Sequence, residues 1–357
     1  MNKKINLLVH GPITSKKGNL SFSCQENLKK LFKLEKLFNY IIISCWVTDE
    51  TQNIEKYIKN TKNIFIIKNK LPNKKSICKL NNNPSKNIYL QSYSILKGCE
   101  FLTKLEEKNF KFTKHRYENF VIKIRTDQEF PDYTGLYNYT KKTKILTKTL
   151  CVRAFRPSVI CHISDTILIS RLRLMYNIFK YQYNQIQLYN NTHYDLFFTF
   201  IKAITPEKKW KSFSFFPSDS AINKNKLTLK QLNFIENLWL FNFQLIPKKL
   251  IYPYSWRGEI QKPPEMELYY EDLDLKFLKS VFYKLKQNAY NSYFLSFFNI
   301  SYRLYLIYSN KSVFSKIGLL FQFIKILEVN LFYLYLKCRK IAKILLIRFT
   351  KLFSLNF

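Results

Sequence analysis

The stretch Val121-Ile122-Lys123-Ile124-Arg125-Thr126-Asp127 is a short apolar run that ends abruptly on a carboxylate. Val121, Ile122 and Ile124 suit a buried strand, since short continuous apolar runs fill sheets covered on both faces. Asp127 then stands at the carboxyl end of that strand, where open α/β sheets bind their ligands. Three similar runs precede it, Ile5 to Val9, Tyr40 to Cys45 and Ile64 to Ile67, each followed by a helix-like segment. Such alternation predicts a mostly parallel central sheet flanked by helices, with an active face at the strand carboxyl ends.

Working outward, His10-Gly11-Pro12 reads as a turn after the first strand. Apolar spacing predicts helices over Glu26 to Phe38, Asn53 to Ile58 and Asn87 to Glu107, with Leu71 to Ser85 an exposed Asn- and Pro-bearing loop. Beyond Asp127, Lys144 to Leu150 alternates like a strand. Ile167 to Phe179 reads as a helix for which Ser164 or Asp165 is a natural N-cap. Leu196 to Ile204 and Leu229 to Phe243 are further helices, and Ile246 to Pro264, with four prolines, is a natural boundary. The expected organisation is an α/β domain over 1–255 and a helical, aromatic, basic region over 256–357.

At 357 residues and 47% hydrophobic content, the chain can bury a large core and is not a disordered polymer. The net charge of +35 suits polyanions such as nucleotide, nucleic acid or membrane lipid. The abundance of Lys, Asn, Ile, Phe and Tyr is also the usage of an AT-rich genome, which places many lysines on solvated faces for no functional reason. Arginine discriminates better, because its planar fork matches phosphate bidentately. Only ten positions carry it, and Arg116, Arg125, Arg153 and Arg156 flank the Asp127 segment. The seven cysteines show no CxxC pair and read as buried free thiols of a reducing compartment.

No leader-like segment opens the chain, and no uncharged apolar run approaches the ~20 residues of a spanning helix. The expected location is the cytoplasm, peripheral on the inner face of the membrane. On a helix, Lys337, Lys340, Lys343, Arg348 and Lys351 oppose Leu345, Leu346, Phe349, Leu352 and Phe353. That pattern suits a helix lying on an anionic membrane surface, and equally one packed on the domain with its lysines in water.

For chemistry, a carboxylate at a strand end can hold Mg²⁺ or Mn²⁺ bridging nucleotide phosphates, so Asp127 is the candidate metal ligand. Arg125 and Arg153 are candidate phosphate contacts, with Glu129 and Asp132 close enough to assist. His162-Ile163-Ser164-Asp165 supplies a second constellation in which Asp165 could serve as general base. His10 to Ile13 and Ser44 to Trp46 follow strands of one parallel sheet and should line the nucleotide side of the cleft, with His10, Gly11, Pro12 and Trp46 as contacts. No HExxH, GxSxG, P-loop or GxGxxG is present, so zinc-protease, serine-hydrolase, NTPase and dinucleotide readings lack their usual marks.

Five segments in one order carry a resemblance: Val9-His10-Gly11-Pro12-Ile13, Ile43-Ser44-Cys45-Trp46, Gln91-Ser92-Tyr93-Ser94 to Gly98, Lys123-Ile124-Arg125-Thr126-Asp127 and His162-Ile163-Ser164-Asp165. In this order, over roughly residues 5 to 210, the chain resembles the WavE family of lipopolysaccharide-synthesis proteins, considered to be glycosyltransferases. The resemblance implies a GT-A type of α/β fold that transfers a sugar from a nucleotide-sugar donor to a lipopolysaccharide core or other surface-glycan acceptor, lipid-linked or free. It implies a divalent cation on Asp127, a donor contact at Gln91, a base at Asp165 and a further catalytic acid at Glu207, within Pro206-Glu207. Two positions depart from it. Arg125 stands where an Asp-x-Asp pattern would begin, and Ser170 where a glycine is expected. The rival class is a basic single-stranded nucleic-acid-binding protein, which the charge and the 17% aromatic content would suit. Against it, the aromatics lie mostly in apolar helical runs, so no nucleic-acid partner is expected.

Overall fold

The computed structural model describes residues 4–17, 20–47, 49–70, 83–109, 119–143, 145–156, 160–184, 192–206, 227–265, 267–269 and 278–289. These form, in chain order, β1 Ile5–His10, β2 Thr14–Lys17, β3 Leu20–Ser23, α1 Gln25–Phe32, β4 Ile41–Trp46, α2 Asp49–Ile58 and β5 Ile64–Asn69. There follow α3 Asn83–Asn109, β6 Phe120–Arg125, β7 Gln128–Glu129, α4 Tyr133–Lys142, β8 Leu150–Val152, β9 Leu168–Arg171, α5 Leu172–Asn184 and α6 Thr192–Ile204. The last are α7 Leu229–Phe241, β10 Phe243–Leu245, α8 Lys248–Ile251, β11 Tyr254–Trp256 and β12 Glu259–Gln261. The chain divides into two compact units, Met1–Lys286 and Gln287–Phe357, and every one of these elements belongs to the first.

The four apolar runs form adjacent strands of a seven-stranded sheet ordered β10-β8-β9-β6-β1-β4-β5. All run parallel except β9, which is antiparallel to both β6 and β8. Every residue of β1 is buried, as a strand covered on both faces requires. Ile5, Leu7 and Val9 join Ile122, Ile124, Leu28, Leu31 and Leu136 in one apolar core, each such side chain stabilising the fold by about 1.5–3 kcal/mol. The alternate residues face α3 and are more polar. Asn6 donates to Glu106 at 3.1 Å, and Ser44 donates to the Ser94 carbonyl at 2.6 Å. Gly98 lets α3 approach β1, for a Cβ there would lie 2.3 Å from the Leu8 methyl.

Several expectations are corrected by packing. Ile167 to Phe179 is not one helix: Leu168–Arg171 fills the antiparallel slot between β6 and β8, and the helix begins only at Leu172. Periodicity cannot separate a fully buried strand from a buried helix, so the tertiary slot decided. Ser164 and Asp165 therefore precede a strand and cap no helix, and Ser170 lies inside that strand. Of the described residues of the expected strand Lys144 to Leu150, only Leu150 is extended in the sheet, and Thr149 N–H closes a turn onto the Leu146 carbonyl at 3.1 Å. The run to Phe243 is likewise split, since α7 stops at Phe241 and Phe243 begins β10. Helix α1 ends at Phe32, short of Phe38.

The proline-bearing stretch Ile246 to Pro264 carries α8 and the β11–β12 hairpin, which pairs antiparallel with β7 through Ser255 opposite Glu129. Among the described residues no helix is long and apolar enough to cross a membrane. The basic–apolar tail Lys337 to Phe357 lies outside the described residues, as do most of the loop Leu71 to Ser85 and the position Arg116.

Candidate functional site

Strand β6 delivers Arg125, Thr126 and Asp127 to the carboxyl end of the sheet. Thr126 and Asp127 are fully buried, and Arg125 is held by a fork in which its Nε and Nη2 donate to the two Asp127 oxygens at 2.8 and 2.9 Å. From the β11–β12 turn, Arg257 Nε donates to Asp127 Oδ2 at 3.1 Å and the Trp256 indole N–H to the same oxygen at 3.3 Å. Arg257 adopts a positive φ of 52° and Gly258 one of 83°, the pair of left-handed residues a tight two-residue hairpin needs. Burial alone would raise the Asp127 carboxyl, but Arg125 and Arg257 outweigh it and hold it below the usual carboxylate range.

These bonds bear directly on the expected cation. A Mg²⁺ or Mn²⁺ ligand needs a lone pair facing open space and further oxygens beside it. Both Asp127 oxygens instead accept from cationic or indole donors, and no group of three His, Cys, Asp or Glu able to hold a metal occurs among the described residues. The donor set does not fit a divalent cation. Glu129 pairs with Lys30 at 2.6 Å and Asp132 caps α4 through the Gly135 N–H at 2.6 Å, so neither assists Asp127.

Beside this clamp lies a cavity of about 240 Å³ whose wall combines Arg125, Arg153 and Arg156 with Gln128, His162, Ser164, Asp165, Thr166, Tyr254 and Trp256. Arg153 and Arg156 converge because Glu267, only 4% exposed, bridges them: Arg153 Nη2 lies 2.5 Å and Arg156 Nε 2.7 Å from its Oε1. Tyr269 donates to the other oxygen at 2.9 Å. Against the upward push of burial, the two guanidiniums keep the Glu267 carboxyl low. Arg153 also donates to Thr166 at 3.1 Å, while its buried Nε and the buried Gln128 Oε1 have no hydrogen-bond partner among the described residues. The wall thus brings three guanidiniums and several hydroxyls to one space, the chemistry that receives a phosphate-bearing anion.

Asp165 supplies the acid of the cavity wall. Its Oδ2 accepts from Gln91 Nε2 of α3 at 2.7 Å, and its backbone carbonyl accepts from the Lys123 ammonium, which comes up from β6 beneath it. Lys123 is fully buried, and burial pushes its amine down to about 7, with Asp165 opposing the fall.

Of the residues expected from sequence, Arg125, Arg153 and Asp165 line the cavity, and Gln91 reaches it through Asp165. His10 and Ser44 are paired in register, so the turns after β1 and β4 leave the same end of the sheet. They do not line the cavity: His10 is buried opposite Arg125 in the sheet register, and Trp46 stacks on Tyr93 with ring centres 5.9 Å apart. Gly11 has φ +127°, and a Cβ there would lie 2.8 Å from Thr126 Oγ1, while the Pro12 carbonyl accepts from that same hydroxyl. These residues join the first turn to the floor below Arg125. Glu207 lies outside the described residues. Sequence reasoning missed Glu267, Trp256, Arg257 and Lys123; only the Arg257-Gly258 turn pair left a local signal.

No family model matches the chain, and no curated protein matches it. Among solved structures the chain is similar to HddC from Yersinia pseudotuberculosis complexed with GMP-PN, at 12% identity, over 49% of this chain and 79% of that chain, with a TM-score of 0.27. A second crystal structure of HddC matches at 13% identity, with the same coverage and a TM-score of 0.27. A likeness this loose transfers no residue roles, and the fold stands on its own sheet topology.

Proposed function

We propose that the chain is a glycosyltransferase of the WavE type, with a GT-A-like domain, moving a sugar from a nucleotide-sugar donor to a lipopolysaccharide core or other surface-glycan acceptor. The observation that carries the reading is a cavity at the carboxyl end of a mostly parallel sheet whose wall combines three arginines with the carboxyl of Asp165. In the transfer, the bond from the anomeric carbon to the diphosphate oxygen breaks and a bond to the acceptor oxygen forms. The diphosphate leaves with the electron pair, and preorganised cations aimed at that oxygen lower the barrier most. Arg125, Arg153 and Arg156 take that task, which such enzymes otherwise give to a cation. Asp165 accepts the acceptor hydroxyl proton, as the base of an inverting reaction, and Gln91 holds its carboxyl in place. The acceptor is lipid-linked and the enzyme peripheral on the inner membrane face in this reading.

The test is calorimetric titration of nucleoside diphosphates, in EDTA and in Mn²⁺, followed by transfer assays on Asp165→Asn. Saturable binding that EDTA leaves intact, with transfer lost in Asp165→Asn at unchanged melting temperature, is expected. Absence of nucleotide binding in both media would sink the reading. Salt-steep RNA binding in its place would favour the nucleic-acid alternative.

A further inference from the structure

Lys123, buried behind the cavity wall and bonded to its Asp165 segment, is left idle by this transfer chemistry. A lysine in the middle of a central strand, with no exposed surface, is costly to place, because burial penalises its charged form. Its side chain leaves β6 on the face opposite Ile122 and Ile124, the same face as Arg125 two residues on. From there its ammonium donates to the backbone carbonyl of Asp165, whose carboxyl accepts from Gln91 and lines the cavity. The charged and titratable groups facing it are His10 from β1, Arg125 from its own strand, Asp165 from the loop and Asp127 beyond. Helix α3 contributes the uncharged Gln91 to Asp165. His10 is itself buried, with neither ring nitrogen hydrogen-bonded among the described residues. Three potentially cationic groups are therefore crowded under a polar wall, and Asp127 is already engaged by Arg125 and Arg257.

We propose that Lys123 is a positioning residue that couples anion binding to protonation: its ammonium fixes the Asp165 segment, and a phosphate group seated on the arginines draws a proton from solvent onto it. The inference rests on the reading of the cavity as a phosphate site. Without ligand, burial holds the amine near 7, so at pH 8 most of it is neutral. A nearby anion favours the charged form and raises that value. Binding then takes up a proton between about pH 7 and the higher, ligand-bound value. Over that interval affinity falls as pH rises, by at most about tenfold per pH unit for one proton, and below it Lys123 adds no pH dependence. His10, held well below 6.5 chiefly by burial and then by Lys123 and Arg125, titrates too low to contribute there.

The experiment titrates pyrophosphate into the full chain by calorimetry from pH 6.5 to 8.5, in buffers of contrasting ionisation enthalpy. Wild type, Lys123→Met and Lys123→Arg are compared. Pyrophosphate's own ionisation is common to all three and cancels. At pH 8 the wild type should take up a larger fraction of a proton than either variant, and its affinity should fall several-fold more steeply from pH 7 to 8.5. Lys123→Arg, permanently charged, should show only the pH dependence of pyrophosphate itself, and serves alone if the Met variant does not fold. Equal proton uptake in wild type and variants would overturn the inference while leaving the phosphate site standing. Absence of pyrophosphate binding at every pH would overturn the phosphate site itself, and the coupling with it.

Discussion

Asp127→Asn separates a cation ligand from an ion-pair anchor. The substitution keeps the shape of the side chain but replaces a charge by an amide whose NH₂ must face guanidinium donors. Asp127 has no exposed surface, and its two oxygens accept two bonds from Arg125, one from Arg257 and one from Trp256. Removing one partner of a buried pair costs about 3–5 kcal/mol. The Arg125 and Arg257 side chains retain 19% and 29% exposure, so water recovers part of their lost pairing and the lower end, about 3 kcal/mol, applies. At about 2 °C per kcal/mol for a domain of this size, the melting temperature should drop by about 6 °C at pH 7.5. The sign with pH follows from the lowered carboxyl of the folded state. Its contribution is complete above the unfolded value near 4 and is lost as pH falls through the lower folded value, so the gap between wild type and variant should close in strong acid. Thermal melts monitored by circular dichroism between pH 3 and 8 measure both. An Asp127→Asn protein that melts with wild type at pH 7.5, yet loses a wild-type Mn²⁺ affinity, would refute the ion-pair account and restore the cation.

Three further outcomes are expected. Arg153→Met and Arg156→Met should each weaken pyrophosphate binding, by about 1.5–3 kcal/mol per lost charged hydrogen bond, read by calorimetry; Arg153→Met should also lower the melting temperature, because it leaves the buried Glu267 with one guanidinium fewer. Glu106, 1% exposed, has its carboxyl pushed up to about 7 by burial. A raised acid is stabilising to ionise only in the unfolded chain, so stability is lost as pH rises from about 4.3 through 7, and Glu106→Gln should melt higher than wild type at pH 8, by about 1–2 kcal/mol, with the advantage gone near pH 4. Gly98→Ala forces a methyl against the fully buried Leu8 and should cost about 1–3 kcal/mol in urea denaturation, with Gly98→Ser no better.

The four parallel strands, their order of appearance and the end of the sheet that carries the site are local properties. Runs such as Ile5 to Val9 and Val121 to Ile124 are apolar throughout and bounded by turns, and that alone says strand, buried on both faces. The apolar run after Asp165 is not decided in this way: Ile167-Leu168-Ile169 serves a buried helix or a buried strand equally well, and only the free slot between β6 and β8 made it β9. The same holds for charge. That Asp127 ends a strand is written in seven residues, whereas its meaning depends on Arg257 and Trp256, some 130 positions along the chain. Arg153 and Arg156 point together because Glu267, more than 110 positions away, lies between them. Hydrophobic period is a short-range signal and survives in a string of letters. Pairing of buried charges depends on which distant segments the topology brings within about 3 Å, and so it was settled only when the chain was folded.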